Sequence, residues 1–125
     1  MPYVCQKEHV AFLKGNFIGD GGCVALAKHC TSAPETAKWK QGAPVRGNFS
    51  IPTGTAIATF IHGKYPNQRH GNHAAIYISQ NAEGIQVYDQ WAEIRHKLGV
   101  HIRTIRWVSS GEDPSDDGDY FYVIE

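Results

Sequence analysis

Gly19-Asp20-Gly21-Gly22-Cys23-Val24-Ala25-Leu26-Ala27-Lys28-His29 is the stretch whose reading decides the rest of the chain. Gly21 and Gly22 give a tight, sterically open turn. Asp20 is a candidate cap, and a run of good helix formers follows it. Lys28 and His29 stand where positive charge suits a helix C-terminus. The pattern predicts a helix that opens at Cys23 and ends near Cys30, before Pro34. A thiol in a first helical turn meets free backbone N–H groups and the positive end of the macrodipole, which favour the thiolate. The missing side chains at Gly21 and Gly22 leave room for a substrate backbone to approach the sulfur. On these residues alone the alternative is a small buried hydrophobe on an apolar helix face, the usual place of a free cysteine.

Composition narrows the function classes. The 125 residues have the length of one domain, 1–125, large enough for a core. Lys+Arg 12 balances Asp+Glu 12, so no whole-chain field draws in nucleic acid or an anionic membrane. Hydrophobic residues at 42% and 13 glycines suit a globular, loop-rich protein. The start, Met1 to His9, is polar and has no apolar h-region, and no segment approaches a membrane span. That predicts work in the cytoplasm, or export by a route that reads no N-terminal peptide. Three cysteines cannot all pair with one another. If Cys23 is a working thiol, Cys5 and Cys30 are free to form a disulfide in an oxidising compartment; the ordinary alternative is three free thiols.

Read in order, Val4 to Leu13 predicts a short helix stopped by Gly15, and Pro34 to Trp39 a helical turn closed by Gly42. Residues 42–54, with three glycines, Pro44 and Pro52, read as loop. Strands follow at Thr55–Ile61, His73–Ser79, Ile85–Asp89, Val100–Val108 and Tyr120–Ile124, the second and third joined by a hairpin signal at Asn81-Ala82-Glu83-Gly84. Helices first and hairpin-connected strands after is the α+β pattern: N-terminal helices packed on a five-stranded, mostly antiparallel sheet.

A cysteine hydrolase needs a base for the thiol proton and a third group to hold the imidazole. His73 opens a strand after a polar loop, which predicts a place at the rim of the sheet with the ring reachable. Alternation puts Ile85, Val87 and Asp89 on one face of the next strand, so a core-facing Ile85 and Val87 bring Asp89 out at the sheet edge beside His73.

At this point four segments carry a resemblance. Gly21-Gly22-Cys23-Val24-Ala25-Leu26, Gly54-Thr55-Ala56-Ile57-Ala58-Thr59-Phe60, Asn72-His73-Ala74-Ala75-Ile76-Tyr77-Ile78 and Gly84-Ile85-Gln86-Val87-Tyr88-Asp89-Gln90-Trp91 together resemble the papain-like NlpC/P60 and CHAP peptidoglycan amidases. The resemblance runs from about Gly19 to Trp91 and is nearest the small versions like type VI secretion amidase effectors. It implies Cys23 as nucleophile, His73 as general base and Asp89 as its orienting residue. Asn72 stands where a glycine usually precedes the histidine, which keeps His70 as a rival base. Gln90 is an alternative third residue, because some relatives use an amide there. The Cys23 N–H would be one oxyanion donor, with Asn16 or Asp20 as candidates for the second. Asp20, Gly22 and Trp91 are candidates to line a substrate groove, although Trp91 also suits core packing at a strand end. The implied function is hydrolysis of amide bonds in peptidoglycan stem peptides or cross-links, without cofactor. The implied setting is an antibacterial effector delivered to the periplasm of a target bacterium and matched by an immunity protein.

Other signals are weaker. His70-x-x-His73 looks like half of a metal site, but nothing nearby completes a zinc set. The acidic stretch from Glu112 to Asp119 lacks calcium-loop spacing. Two rivals stand beside the amidase: a catalytically silent peptide-binding module of the same fold, and an intracellular cysteine peptidase whose substrate is not cell wall.

Overall fold

The computed structural model describes residues 1–66, 72–90, 99–107 and 117–125. Helix α1 (Lys7–Phe12) and helix α2 (Cys23–Cys30) come first, and a 3-10 turn at Thr36–Lys38 follows. Strands β1 (Gln41–Pro44), β2 (Ala56–Thr59), β3 (Ala74–Gln80), β4 (Gly84–Asp89), β5 (His101–Arg106) and β6 (Phe121–Ile124) complete the chain. They form a six-stranded sheet in the order β1-β6-β2-β3-β4-β5. Every pair is antiparallel.

The α+β expectation stands, with six strands instead of five. The added strand, β1, lies in the stretch expected to be loop. Its glycine and proline are loop signals locally, but an edge strand tolerates both. The pairing comes from the other end of the chain. Lys40 and Glu125 exchange both backbone hydrogen bonds, at 2.7 and 2.8 Å, and Val45 N–H donates to Phe121 O at 3.1 Å. Helix α1 starts later than expected because Val4 bridges Thr55 and the Cys5 N–H donates to Gly54 O at 2.7 Å. The N-terminal residues are thus held as extended backbone against the sheet.

Alternate strand residues face opposite sides of a sheet, and the core divides accordingly. Ala56, Ala58, Ala74 and Ile76 pack with Val10, Leu13, Leu26 and Ala27 from the helices. Ile57, Ala75, Ile85, Val87, Phe121 and Val123 pack with Val45 and Ile51 from the connection after β1. Small alanines on the first face let α2 lie close against β3. Leu26 is fully buried there, and truncating such a residue to alanine costs about 2–5 kcal/mol. A disulfide joins Cys5 to Cys30, which resolves the cysteines into one bridge and the free thiol of Cys23. It ties the extended N-terminal segment to the last residue of α2. Among the described residues, no helix is long and apolar enough to cross a membrane.

Candidate active site

The turn before α2 is built by backbone and by one distant side chain. Gly19 and Gly21 adopt φ of 59° and 86°, the left-handed region that glycine enters freely. A Cβ at Gly19 would also meet the Ala25 Cβ at 2.9 Å. Gly22, with an ordinary φ of −77°, is the N-cap residue of α2 and has no capping side chain. Asp20 therefore is not the cap. Its Oδ1 accepts the Gly22 N–H at 2.8 Å, closing a local Asx-type turn. The second left-handed position needed to make the turn is thus Gly19, and Gly22 has extended-type backbone instead.

Cys23 emerges from this turn half-buried, with His73 across from it. His73 immediately precedes β3 and is held there by its backbone N–H, which donates to Thr59 Oγ1 at 3.1 Å. His73 is only 1% exposed, so it is enclosed where an accessible rim position was expected. Its edge packs against Phe121 at 6.2 Å. His73 Nε2 bonds Asp89 Oδ2 at 2.7 Å. That leaves Nδ1 as the nitrogen for the Cys23 thiol, with which the ring is hydrogen-bonded.

Asp89 sits where alternation along β4 places it, on the side of Ile85 and Val87, and is fully buried. The β4–β5 register sets its other neighbours. His101 is directly opposite Asp89, and Arg103 is opposite Val87. Residues on one face at such diagonal positions are in reach of each other when the side chains are long. Arg103 Nε donates to Asp89 Oδ2 at 2.6 Å, and His101 Nε2 stands 3.6 Å from Oδ1. His101 Nδ1 bonds the Gly99 carbonyl at 2.8 Å, which fixes its ring.

Electrostatics follow from this geometry. Burial alone pushes the Cys23 thiol up, but hydrogen bonding and charge from His73 outweigh it, aided by the Ala74 backbone and the Tyr65 hydroxyl, and the thiol titrates below its usual value. Burial pushes His73 down, yet the bonds to Asp89 and Cys23 raise it to about 9. Burial raises Asp89, and His73 and then Arg103 bring it below the usual carboxylate range. Burial and the negative charge on Cys23 hold the Tyr65 phenol well above its usual value, so its proton stays on. A thiolate facing an imidazolium is the favoured pair, the charge state that nucleophilic chemistry at sulfur requires.

Gln90 is fully buried, and its amide is committed to the turn before Cys23. Oε1 accepts from the Ile18 N–H at 2.9 Å, and Nε2 donates to the carbonyls of Ile18 and Gly22, both at 2.8 Å. Asn16 donates its side chain to the Leu13 carbonyl at 3.3 Å. Asp20, Gly22, Cys23 and Lys28 line a shallow depression of about 280 Å³. Tyr65 joins the sulfur to a wider groove of about 1160 Å³, whose wall includes Trp39 and the lysines at 38, 40 and 64. The Tyr65 and Trp39 rings meet edge to face at 4.9 Å. His70 and Trp91 lie outside the described residues. Among the described residues, no three His, Cys, Asp or Glu side chains gather so as to hold a metal ion.

Sequence reasoning places Arg103 in a basic cluster with Arg95, Lys97 and Arg106 on a solvated strand face, whereas the structure pairs it with the buried Asp89; it misses Tyr65. Arg103 follows once β4 and β5 are paired in register, but Tyr65 lies in a polar connection whose local sequence carries no signal of a sulfur contact.

Thiol, imidazole and carboxylate stand in series, with the thiol opening a helix that packs on an antiparallel sheet, the arrangement that cysteine-type hydrolysis needs. The family profile described as "Domesticated amidase effector 2" matches residues 3–124. A Salmonella typhi protein called type VI secretion amidase effector 2 is 45% identical over 94 residues, covering 75% of this chain and 71% of the relative. The domesticated amidase effector 2 of Ixodes scapularis is 42% identical over 107 residues, covering 82% of this chain and 70% of the relative. The solved structure of a type 6 secretion amidase effector 2 superimposes with a TM-score of 0.86 at 35% identity, covering 98% of this chain and 94% of that one. The chain belongs to the domesticated amidase effector 2 family.

Proposed function

We propose that the protein is a cysteine amidase that acts as an antibacterial effector, cleaving an amide bond in peptidoglycan stem peptides or cross-links. Its family and its relatives support the amidase and effector halves of this reading. The observation that carries the mechanism is the series from Cys23 through a buried His73 to Asp89, with the last link at 2.7 Å. A buried histidine held at Nε2 by Asp89 and turned to the Cys23 thiol has one orientation, which a passive peptide-binding groove does not need.

In this reading the Cys23 thiolate attacks the amide carbonyl, and the carbonyl oxygen takes up the negative charge. The Cys23 N–H, at the open end of α2, is one oxyanion donor. The Tyr65 hydroxyl, kept protonated beside the sulfur, is the second. His73 Nδ1 gives its proton to the leaving amine, then takes one from water as that water opens the thioester. Asp89 fixes the tautomer and stabilises the imidazolium without accepting its proton. Arg103 keeps Asp89 ionised.

The architecture is read as papain-like: a thiol at the head of a helix, a histidine at the head of the second central strand, and a carboxylate one strand further on. Residues 1–125 are read as one domain. Peptidoglycan as substrate, delivery to the periplasm of a target cell and an immunity protein that blocks the Cys23–His73 cleft complete the proposal. The test is mass spectrometry of purified muropeptides digested with wild type and with Cys23→Ala. New fragments that appear only with wild type support the reading. Equal cleavage by Cys23→Ala refutes it.

A further inference from the structure

The third role at the end of β4 had two adjacent candidates, Asp89 and Gln90, and the structure gives them different partners. Asp89 holds the base. Gln90, fully buried, turns to the residues that precede the nucleophile. Its amide pairs with Ile18 in both directions, accepting from N–H at 2.9 Å and donating to C=O at 2.8 Å. The remaining Nε2 proton goes to the Gly22 carbonyl, also at 2.8 Å.

That last bond acts on the reaction through one rigid unit. The Gly22 carbonyl and the Cys23 N–H belong to the same peptide plane. Among the described residues no peptide bond is cis, and in a trans peptide the C=O and N–H point in opposite directions. Pulling the Gly22 carbonyl towards Gln90 therefore turns the Cys23 N–H the other way. The competing hold on this carbonyl is weak, because the first helical bond, Leu26 N–H to Gly22 O, is long at 3.4 Å. Left-handed glycines at 19 and 21 make the preceding turn easy to reorient. Asp20 restrains only the Gly22 N–H, on the far side of that residue.

We propose that Gln90 is a positioning residue for the oxyanion hole: its side-chain amide sets the peptide plane between Gly22 and Cys23, and so aims the Cys23 N–H at the developing oxyanion. This rests on the reading of Cys23 as nucleophile. The role differs from that of a third triad member, because it acts on the donor to the oxyanion and leaves the proton path alone. Asp89 and Gln90 thereby let the end of one strand place the base and the nucleophile's peptide plane together.

The test compares wild type, Gln90→Met, Gln90→Glu and Cys23→Ala on purified muropeptides, with iodoacetamide as a second probe. Alkylation by iodoacetamide uses the thiolate but forms no oxyanion. For Gln90→Met the expected result is a fall in kcat of about 10- to 100-fold, less than for outright loss of a donor, with KM held within about three-fold. The rate and pH dependence of Cys23 alkylation should stay those of wild type. For Gln90→Glu, activity relative to wild type should recover as the pH falls and the carboxyl regains a proton to donate. Should Gln90→Met fail to fold, this pH recovery carries the test. A folded Gln90→Met with wild-type kcat, an alkylation profile that shifts, or a flat relative activity for Gln90→Glu overturns the proposal. Hydrolysis by Cys23→Ala would instead overturn the reading of the site on which it rests.

Discussion

Removing the Cys5–Cys30 bridge should lower stability sharply while sparing catalysis. The bridge spans a sequence separation of 25 and encloses α1, the Cys23 turn and α2. Closing a loop of that length takes about 3.5 kcal/mol of conformational entropy out of the unfolded chain. Unfolding entropy of about 2.1 cal/mol/K per residue gives about 0.26 kcal/mol/K for a chain of this length. The expected fall in Tm for the double variant Cys5→Ser/Cys30→Ser is therefore about 13 °C. The bridge holds the last residue of α2, at the opposite end of that helix from Cys23, so turnover well below the melting point should remain near wild type. Thermal unfolding followed by circular dichroism, with and without reductant, measures this directly. Reduced wild type should melt with the double variant. A Tm unchanged to within about 3 °C, or a double variant that is folded but inactive, would refute the reasoning. The prediction bears on setting, because the bridge strengthens the fold only in an oxidising compartment, and the periplasm proposed as the place of action is one.

The rate of hydrolysis should be bell-shaped in pH, with an acid limb below the usual cysteine value from Cys23 and an alkaline limb near pH 9 from His73; a stopped assay on muropeptides across this range checks it. The folded His73 titrates above its unfolded value, so its stabilising contribution is complete below about pH 6.5 and is lost as the pH rises through about 9. Arg103→Gln removes the cation 2.6 Å from Asp89 Oδ2, so Asp89 should hold the imidazolium more strongly and move the alkaline limb upward; a downward move would assign Arg103 a different role. Asp89→Asn should lower kcat by about 100-fold or more with a smaller change in KM, because it removes the orienting charge and not a substrate contact. Expression in a Gram-negative host should be tolerated in the cytoplasm and lytic with a Sec signal fused ahead of Met1, and lysis that survives Cys23→Ala would point to another target.

What could be read from the chain without its structure was whatever depends on neighbours in sequence. Helix α2 is a local affair, with formers from Cys23 onward and cations at its end, and it runs over the expected residues. Asp89 was legible because a parity of two along one strand needs no partner to be known, and its buried side follows Ile85 and Val87 as alternation requires. Strand β1 was not legible, since it pairs with β6 near the opposite end of the chain, and glycine and proline say loop until that partner is present. The cysteines stayed open for the same reason: three thiols do not say which pair meets until α2 packs beside the N-terminal segment. The turn before Cys23 departs from the expected Asp20 cap because its Gly22 carbonyl is held by Gln90, which follows β4 and lies 68 residues further on.

This last case explains why candidates for the reactive residues are easier to name from sequence than the residues proposed to aim them. A nucleophile, a base and a carboxylate are recognised by chemical type and by order along the chain, and those survive without coordinates. Aim is different. Whether the Cys23 N–H faces the substrate depends on a peptide plane, the plane depends on the Gly22 carbonyl, and that carbonyl depends on an amide whose chemistry is ordinary. Gln90 drew notice only as a possible substitute for Asp89, a role its position next to that residue suggested. Three hydrogen bonds from a fully buried side chain direct it elsewhere. Such an amide is costly to leave unsatisfied, so its three bonds restrain a turn that its glycines would otherwise leave free, and Cys23 takes its orientation from that restraint.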